Sequence, residues 1–191
     1  LMAMAINQKK LNLPKDRFLP GSNDKFPYVF VCDEVFALKT CMLKPYARQN
    51  LDVQRRVFNY RLSRARRVIE NCFGICASRF RILRRPIIRK PETVALITKA
   101  IVVLHNYLMV HESSTYCPPG HADMDTANGV RLGDWRGETE GFTGLTSIGV
   151  QGSNNYTKTA SEVRDQFCSY FNSNAGSVPW QWDLATSTVD E

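Results

Sequence analysis

From Leu51 to Phe80 the apolar residues Phe58, Leu62, Ala65, Ile69, Cys72 with Phe73, Cys76 and Phe80 recur in steps of three and four. That spacing is the signature of a long α-helix with one buried face. Asn50 or Asp52 stands where a cap is needed. Gly74, at about 1 kcal/mol worse than alanine inside a helix, predicts a bend or break. Arg55, Arg56, Arg61, Arg64, Arg66 and Arg67 crowd the polar side, and Arg79, Arg81, Arg84, Arg85, Arg89 and Lys90 follow. Like charges at helical spacing repel, so an anionic partner is the natural compensation, and planar guanidinium forks match phosphate. Glu70 is the only acid between Arg55 and Lys90. It reads either as the partner of Arg66 or Arg67 in a surface ion pair worth about 0.3–0.5 kcal/mol, or as a metal ligand whose neighbouring arginines hold phosphates.

Charge is distributed unevenly. Lys39 to Lys90 holds 15 lysines and arginines against Asp52 and Glu70, whereas Glu112 to Glu191 holds four basic and 11 acidic residues. The formal net charge of +7 favours polyanionic partners. A chain of 191 residues with 43% hydrophobic and 23% charged content is one ordinary globular domain, or a domain and a tail. The Cys117-Pro118-Pro119-Gly120 run marks a boundary, and Pro118 to Asn155 lacks periodicity and reads as loop or disorder. The expected divisions are an N-terminal partial segment over 1–24, the main domain over 25–112, a linker without fixed structure over 113–158, and a short helix with an acidic tail over 159–191.

The five apolar residues Tyr28 to Cys32 predict a strand buried on both faces. It ends in Asp33-Glu34. A carboxylate leaving the carboxyl end of a strand is placed for a hard cation such as Mg²⁺ or Mn²⁺, and equally for capping the next turn. Leu38 to Tyr46 predicts a second short strand closed by Pro45. Pro86 ends the first helix, and Pro91 opens another that runs to about His111, apolar enough to be a core or packing helix. Residues before Lys25 read as loop, with Asp16 and Asp24 flanked by Pro, Gly and Ser. Ser161 to Phe171 predicts a last helix with Val163, Phe167, Tyr170 and Phe171 on one face, and Val178 to Trp182 a segment that docks back on the domain.

Six cysteines without a C-x-x-C pair read as reduced thiols of an intracellular protein. Cys72 and Cys76, a helical turn apart, read as core thiols and His105 as a satisfied core histidine; Cys117 and His121 alone are weak grounds for zinc. The longest apolar stretch near a helix, Ala100 to Leu104, is far short of the roughly 20 residues a membrane span needs, so no membrane partner is expected.

Four segments together carry a family likeness: Phe58 to Gly74, Arg79-Phe80-Arg81-Ile82-Leu83, Val31 to Phe36, and Leu104-His105-Asn106-Tyr107-Leu108. They resemble the PIF/Harbinger transposases, and most closely the domesticated Harbinger-derived nucleases of animals. The likeness covers Leu13 to His111 and extends weakly over Ala160 to Gln181. It implies an α/β chain with an incomplete RNase H-like (DDE transposase) domain, helix-rich, with two short strands, about three helices and a partly disordered acidic tail. It implies a divalent-metal nuclease acting on DNA, with Asp33 as the second Asp and Glu70 as the Glu of an Asp-Asp-Glu triad. Two ions about 3.5–4 Å apart would serve the attacking and leaving oxygens. A Myb-like DNA-binding protein is the implied partner, and the nucleus the implied compartment, with the cytoplasm second. The strand bearing the first Asp lies far upstream in relatives, and nothing before Lys25 matches it. With Leu as first residue, the expectation is a C-terminal fragment or truncated product, impaired as a nuclease. A non-catalytic remnant that binds DNA or protein is the alternative. Cys32 stands where the family usually has Gly, and Val35 where it has Ala.

Overall fold

The computed structural model describes residues 12–47, 49–126, 129–143 and 155–187. The chain divides into two units, Leu1–Ser63 with Val150–Glu191, and Arg64–Gly149. Small sheets are mixed with helices, an α/β character, and each sheet has two strands.

In the first unit β1 (Arg17–Phe18) pairs antiparallel with β2 (Lys25–Phe26), so a hairpin crosses the boundary expected at residue 24. The residues before Lys25 are therefore not all loop. β3 (Phe30–Val31) pairs in parallel with β4 (Met42–Leu43), Phe30 opposite Met42 and Val31 opposite Leu43. The Phe30 and Cys32 amides donate to Cys41 and Leu43 carbonyls, each at 2.8 Å. Tyr28 and Val31 are exposed, so the strand is not buried on both faces as its apolar run predicted. Among the described residues β3 pairs with β4 alone, and the Tyr28 and Val31 side chains are left uncovered.

Helix α1 (Val53–Arg79) begins with Asp52 as its cap, whose Oδ1 accepts from the Arg55 amide at 2.8 Å. Asn50 sits just before it with a positive φ of 54°. Asn59, in the helix interior, exchanges two hydrogen bonds with the backbone of Tyr46: the Tyr46 amide donates to Oδ1 at 2.8 Å and Nδ2 donates to the Tyr46 carbonyl at 3.0 Å. This ties the chain leaving β4 to α1. Asn59→Ala is expected to destabilise the protein by about 1–3 kcal/mol, the cost of leaving those backbone groups without a partner, measured by urea denaturation.

The helix expected near Ser161 to Phe171 runs over Lys158–Phe171 (α5, after the single turns introduced below), capped by Thr157, whose side chain accepts from the Ala160 amide. Its Phe167 and Cys168 join Phe26, Leu43, Tyr46, Phe58 and Leu62 in the core, with Val163, Tyr170 and Phe171 packed against them. The segment after it docks as expected. Trp180 meets Tyr60 edge-on at 6.1 Å, and Gln181, which opens α6 (Gln181–Ser187), is fully buried. Residues 188–191 of the acidic tail lie outside the described residues.

In the second unit α1 passes Gly74 without a break. After a 3₁₀ turn (Arg81–Leu83) comes α2 (Pro91–His111), with Pro91 at its first position and Glu92 in its first turn. Of α2, only Ile101 and His105 are buried, so of the two roles its composition allowed, core helix or packing helix, it does not fill the first. By length and composition alone α2 is long and apolar enough to cross a membrane, although the five-residue run inside it is not.

The stretch expected to lack structure is organised between Ser113 and Thr143. It holds α3 (Ser113–Tyr116), a hairpin of β5 (Met124–Thr126) with β6 (Gly129–Arg131), and α4 (Trp135–Glu138). Residues 144–154 of the expected linker lie outside the described residues. Order here comes from buried polar residues, which leave no apolar periodicity to read. Asn71 repeats on α1 what Asn59 does twelve residues earlier: its Nδ2 donates to the Asp123 carbonyl at 3.0 Å and its Oδ1 accepts the Asp123 amide at 2.9 Å. The Asp123 carboxylate, with no exposed side-chain surface, accepts from the Gly133 amide at 2.8 Å and is gripped by both Nε and Nη2 of Arg136. Trp135 lays its indole on α1 at Gly74 and donates from Nε1 to Asn71 Oδ1 at 3.0 Å.

Candidate functional site

Asp33 follows β3 and is half-buried. Its Oδ1 accepts the Val35 amide at 3.1 Å, and its carbonyl accepts the Phe36 amide at 3.4 Å. This is the turn-capping role that a carboxylate after a strand is suited to. Lys44, buried beside the turn, donates from Nζ to the Glu34 carbonyl at 3.3 Å. Cys32 is buried against Met42, with Phe30 and Cys41 around them.

Glu70 stands on α1 in the second unit, its side chain 39% exposed, with Oε1 3.2 Å from Arg66 Nη2. The ion pair read from the sequence is present. Asp33 and Glu70 thus belong to different units, and each has an internal partner.

The six arginines of α1 expected to meet nucleic acid, Arg55, Arg56, Arg61, Arg64, Arg66 and Arg67, each have a partner within the chain. Arg55 pairs with Asp52 at 3.8 Å and lies over the Tyr46 ring. Arg56 Nε donates to the Leu51 carbonyl at 3.2 Å. Arg61 Nη1 donates to the Gly176 carbonyl and to Gln181 Oε1, with its guanidinium over Phe171. Arg64 and Arg67 both pair with Asp125 on β5, and Arg66 with Glu70. Asp125, from the acidic second half of the sequence, meets Arg64 and Arg67 from the basic first half. Local charge counting saw both blocks and could not see that β5 returns one to the other.

Positive charge without such compensation collects after α1. Arg81, Arg85, Arg89 and Lys90 are exposed, and among the described residues none of the four is in an ion pair. An open groove of about 500 Å³ is lined by Arg81, Arg84, Arg85 and Arg89 with Ile82 and Ile88. Arg84 is the anchored one. Its Nη2 donates to the Ser78 carbonyl at 3.4 Å, its carbonyl accepts the Thr143 amide at 3.3 Å, and it lies over Phe142. A groove with four guanidinium groups and apolar walls suits a polyanion whose backbone is charged and whose bases are flat.

His121 is buried at 2% exposure, with Nε2 3.3 Å from Ser78 Oγ and Nδ1 3.7 Å from Glu138. Burial and then the Arg79 charge push its pKa down, against the pull of Glu138 and Asp134. The ring is therefore neutral at pH 7, and it packs the unit. His105 and Cys76, read from the sequence as separate core residues, are brought together with Cys72. Within either unit, no trio of carboxylates close enough to share an ion is gathered among the described residues.

A family model described as DDE superfamily endonuclease matches residues 8–106. Asp33, Glu70, the arginines of α1 and the groove arginines all fall inside that stretch. No curated protein and no solved structure matches the chain.

Proposed function

The chain belongs to the DDE superfamily endonucleases, whose model matches just over half of it, and on that premise we propose that it derives from a transposase of the PIF/Harbinger type. Its chemistry is divalent-metal-dependent hydrolysis or strand transfer of DNA phosphodiesters. The observation that carries this reading is the match over residues 8–106, which takes in Asp33 and Glu70. Both would hold Mg²⁺ or Mn²⁺. The donor set fits such an ion in kind: carboxylate oxygens are hard ligands, and Mg²⁺ is commonly held by one or two of them, with waters and phosphate completing the shell. The ion would supply charge stabilisation and an activated oxygen nucleophile. Asp33 is oriented by the Val35 amide and Glu70 by Arg66. Arg81, Arg85 and Arg89 would hold DNA phosphates. The incomplete RNase H-like domain, nuclear location and a Myb-like protein partner complete the proposal.

An Asp-Asp-Glu site needs a third acid, so this 191-residue chain by itself is expected to nick supercoiled plasmid little or not at all in Mg²⁺ or Mn²⁺. DNA affinity should persist, and should stay level or rise in Glu70→Gln, which removes one negative charge from beside Arg66. Robust nicking abolished by Asp33→Ala would show a complete enzyme and sink the impairment. Nicking indifferent to both Asp33→Ala and Glu70→Gln would sink the site.

One observation favours the second reading, a non-catalytic binding module: both acids already serve local structure, one in a turn and one in an ion pair. Where the partner is DNA, either reading puts it on the groove; a remnant that binds protein instead does not need it there. Changing Arg81, Arg85 and Arg89 together to alanine is expected to lower the slope of log affinity against log salt by about 3, at about 0.9 per lost phosphate contact. The Arg64→Ala and Arg67→Ala pair, whose charges Asp125 already meets, should move it far less. An unchanged slope in the triple variant would remove the groove from the DNA interface.

A further inference from the structure

Cys72 and Cys76 stand one turn apart on α1, and His105 stands on α2. One donor atom from each lies within 4.8 Å of the other two, and all three residues belong to the second unit. A tetrahedral ion with bonds of about 2.3 Å to sulfur and about 2.0 Å to imidazole sets its ligand atoms roughly 3.5–3.8 Å apart. The trio has to close by about 1.3 Å at most. We propose that Cys72, Cys76 and His105 bind one Zn²⁺ ion, at a soft-ligand site chemically distinct from the carboxylates Asp33 and Glu70.

The surroundings suit that ion. Two thiolates neutralise Zn²⁺, so the loaded site carries no net charge into a region where Cys76 and His105 are buried. Cys72 is half-buried, which leaves a route in. The Tyr116 hydroxyl lies 2.9 Å from His105 Nδ1. A ligating histidine is typically held through its other ring nitrogen in this way, with Nε2 left for the metal. Without an ion, burial and the neighbouring Cys72 hold the Cys76 thiol up at about 12. Binding therefore releases the Cys76 proton. Three protein ligands leave the fourth position to water or an outside ligand.

The unit also has a use for such a clip. Both apolar clusters found among the described residues lie in the first unit. The second buries a few apolar side chains, Ile75, Ala77, Ile101 and Tyr116 among them, alongside His121, Asp123, Ser78 and His105, and small domains without an ample apolar core are commonly stabilised by a structural metal. An ion on Cys72, Cys76 and His105 joins α1 to α2.

The test uses the whole chain, stripped of metal under reducing conditions and titrated with Co²⁺ and then Zn²⁺. The expected result is thiolate-to-cobalt charge-transfer absorption saturating at one equivalent, bleached by Zn²⁺. Zn²⁺ should also protect two of the six thiols from a chromogenic disulfide. Cys72→Ser, the half-buried position and so the variant safest to fold, should abolish the band, and Cys76→Ser should do the same. Cys117→Ser and Asp33→Asn should keep it, the latter showing that the acidic residues are not involved. Absence of the band, its survival in Cys72→Ser, its loss in Cys117→Ser, or equal reactivity of all six thiols with and without Zn²⁺ would each overturn the assignment.

Discussion

Arg136→Ala is expected to destabilise the second unit by about 3 kcal/mol and to reverse the sign of its response to mild acid. Asp123 has no exposed side-chain surface, and the Arg136 guanidinium meets both of its oxygens. Removing one member of a buried pair costs about 3–5 kcal/mol because the survivor keeps its charge away from water. Arg136 retains 40% of its exposure, so solvent already screens part of the pair and the lower figure applies. In the native protein burial raises the Asp123 pKa, but hydrogen bonds from Arg136 and the Gly133 amide outweigh it and the carboxyl sits below its ordinary value. A depressed carboxylate contributes stability that is complete above the unfolded value and is lost as pH falls through the folded one. In Arg136→Ala burial, the largest single influence on this carboxyl, is expected to outweigh the Gly133 amide and Arg67 that remain, and to carry the pKa above the ordinary value. The contribution is then present only in acid and disappears as pH rises through the raised folded value. Urea denaturation between pH 3 and 7 reads both effects. A variant whose stability still falls with acid in parallel with the native protein would show that Asp123 is not governed by Arg136.

Gly74→Ala is expected to lower stability by about 1–2 kcal/mol, against the rule that alanine stabilises a helix. An added Cβ would lie 2.2 Å from Cε3 and 2.3 Å from Cδ2 of Trp135, inside the indole ring. Overpacking of this kind costs about 1–3 kcal/mol, while alanine recovers about 1 kcal/mol of helix propensity. A ring that slid aside would also lose its bond to Asn71 Oδ1. Trp135→Ala removes the obstacle. In that background Gly74→Ala is expected to stabilise by up to about 1 kcal/mol, a change of sign that a double-mutant cycle isolates. Thermal denaturation of the four proteins suffices. Additive effects would show that the glycine does not serve the indole.

These positions show how far the sequence reached. Asp33 after a strand and Glu70 after Arg66 were legible, because each role depends on neighbours within four residues. So were the ends of α2, set by Pro91 and His111, and the helix that carries Phe167 and Phe171. Gly74 was read as a weak point because its cost is local and its reason is Trp135, sixty-one residues on. The buried face of α1 was read correctly at Phe58 and Leu62, but Ala65, Ile69 and Phe73 are exposed while Gly74 to Ser78 are all buried. Asn59 and Asn71 left a signal that was not used. Asparagine is a poor interior helix former, and two of them twelve apart on one helix each take up the backbone of a distant extended segment.

By itself the sequence determined what repeats along a helix or ends beside a proline: the α1 and α2 spans, the carboxylate closing β3, the basic and acidic blocks, and family segments readable as strings. Those features rest on interactions within one or two turns. Tertiary structure alone decided which charges cancel, that Asp125 takes Arg64 and Arg67 while Arg81, Arg85 and Arg89 keep their charge, and that Cys72, Cys76 and His105 converge. Partners so far apart in the chain are chosen by packing, and an ion pair or a ligand set carries no periodicity from which that choice can be read.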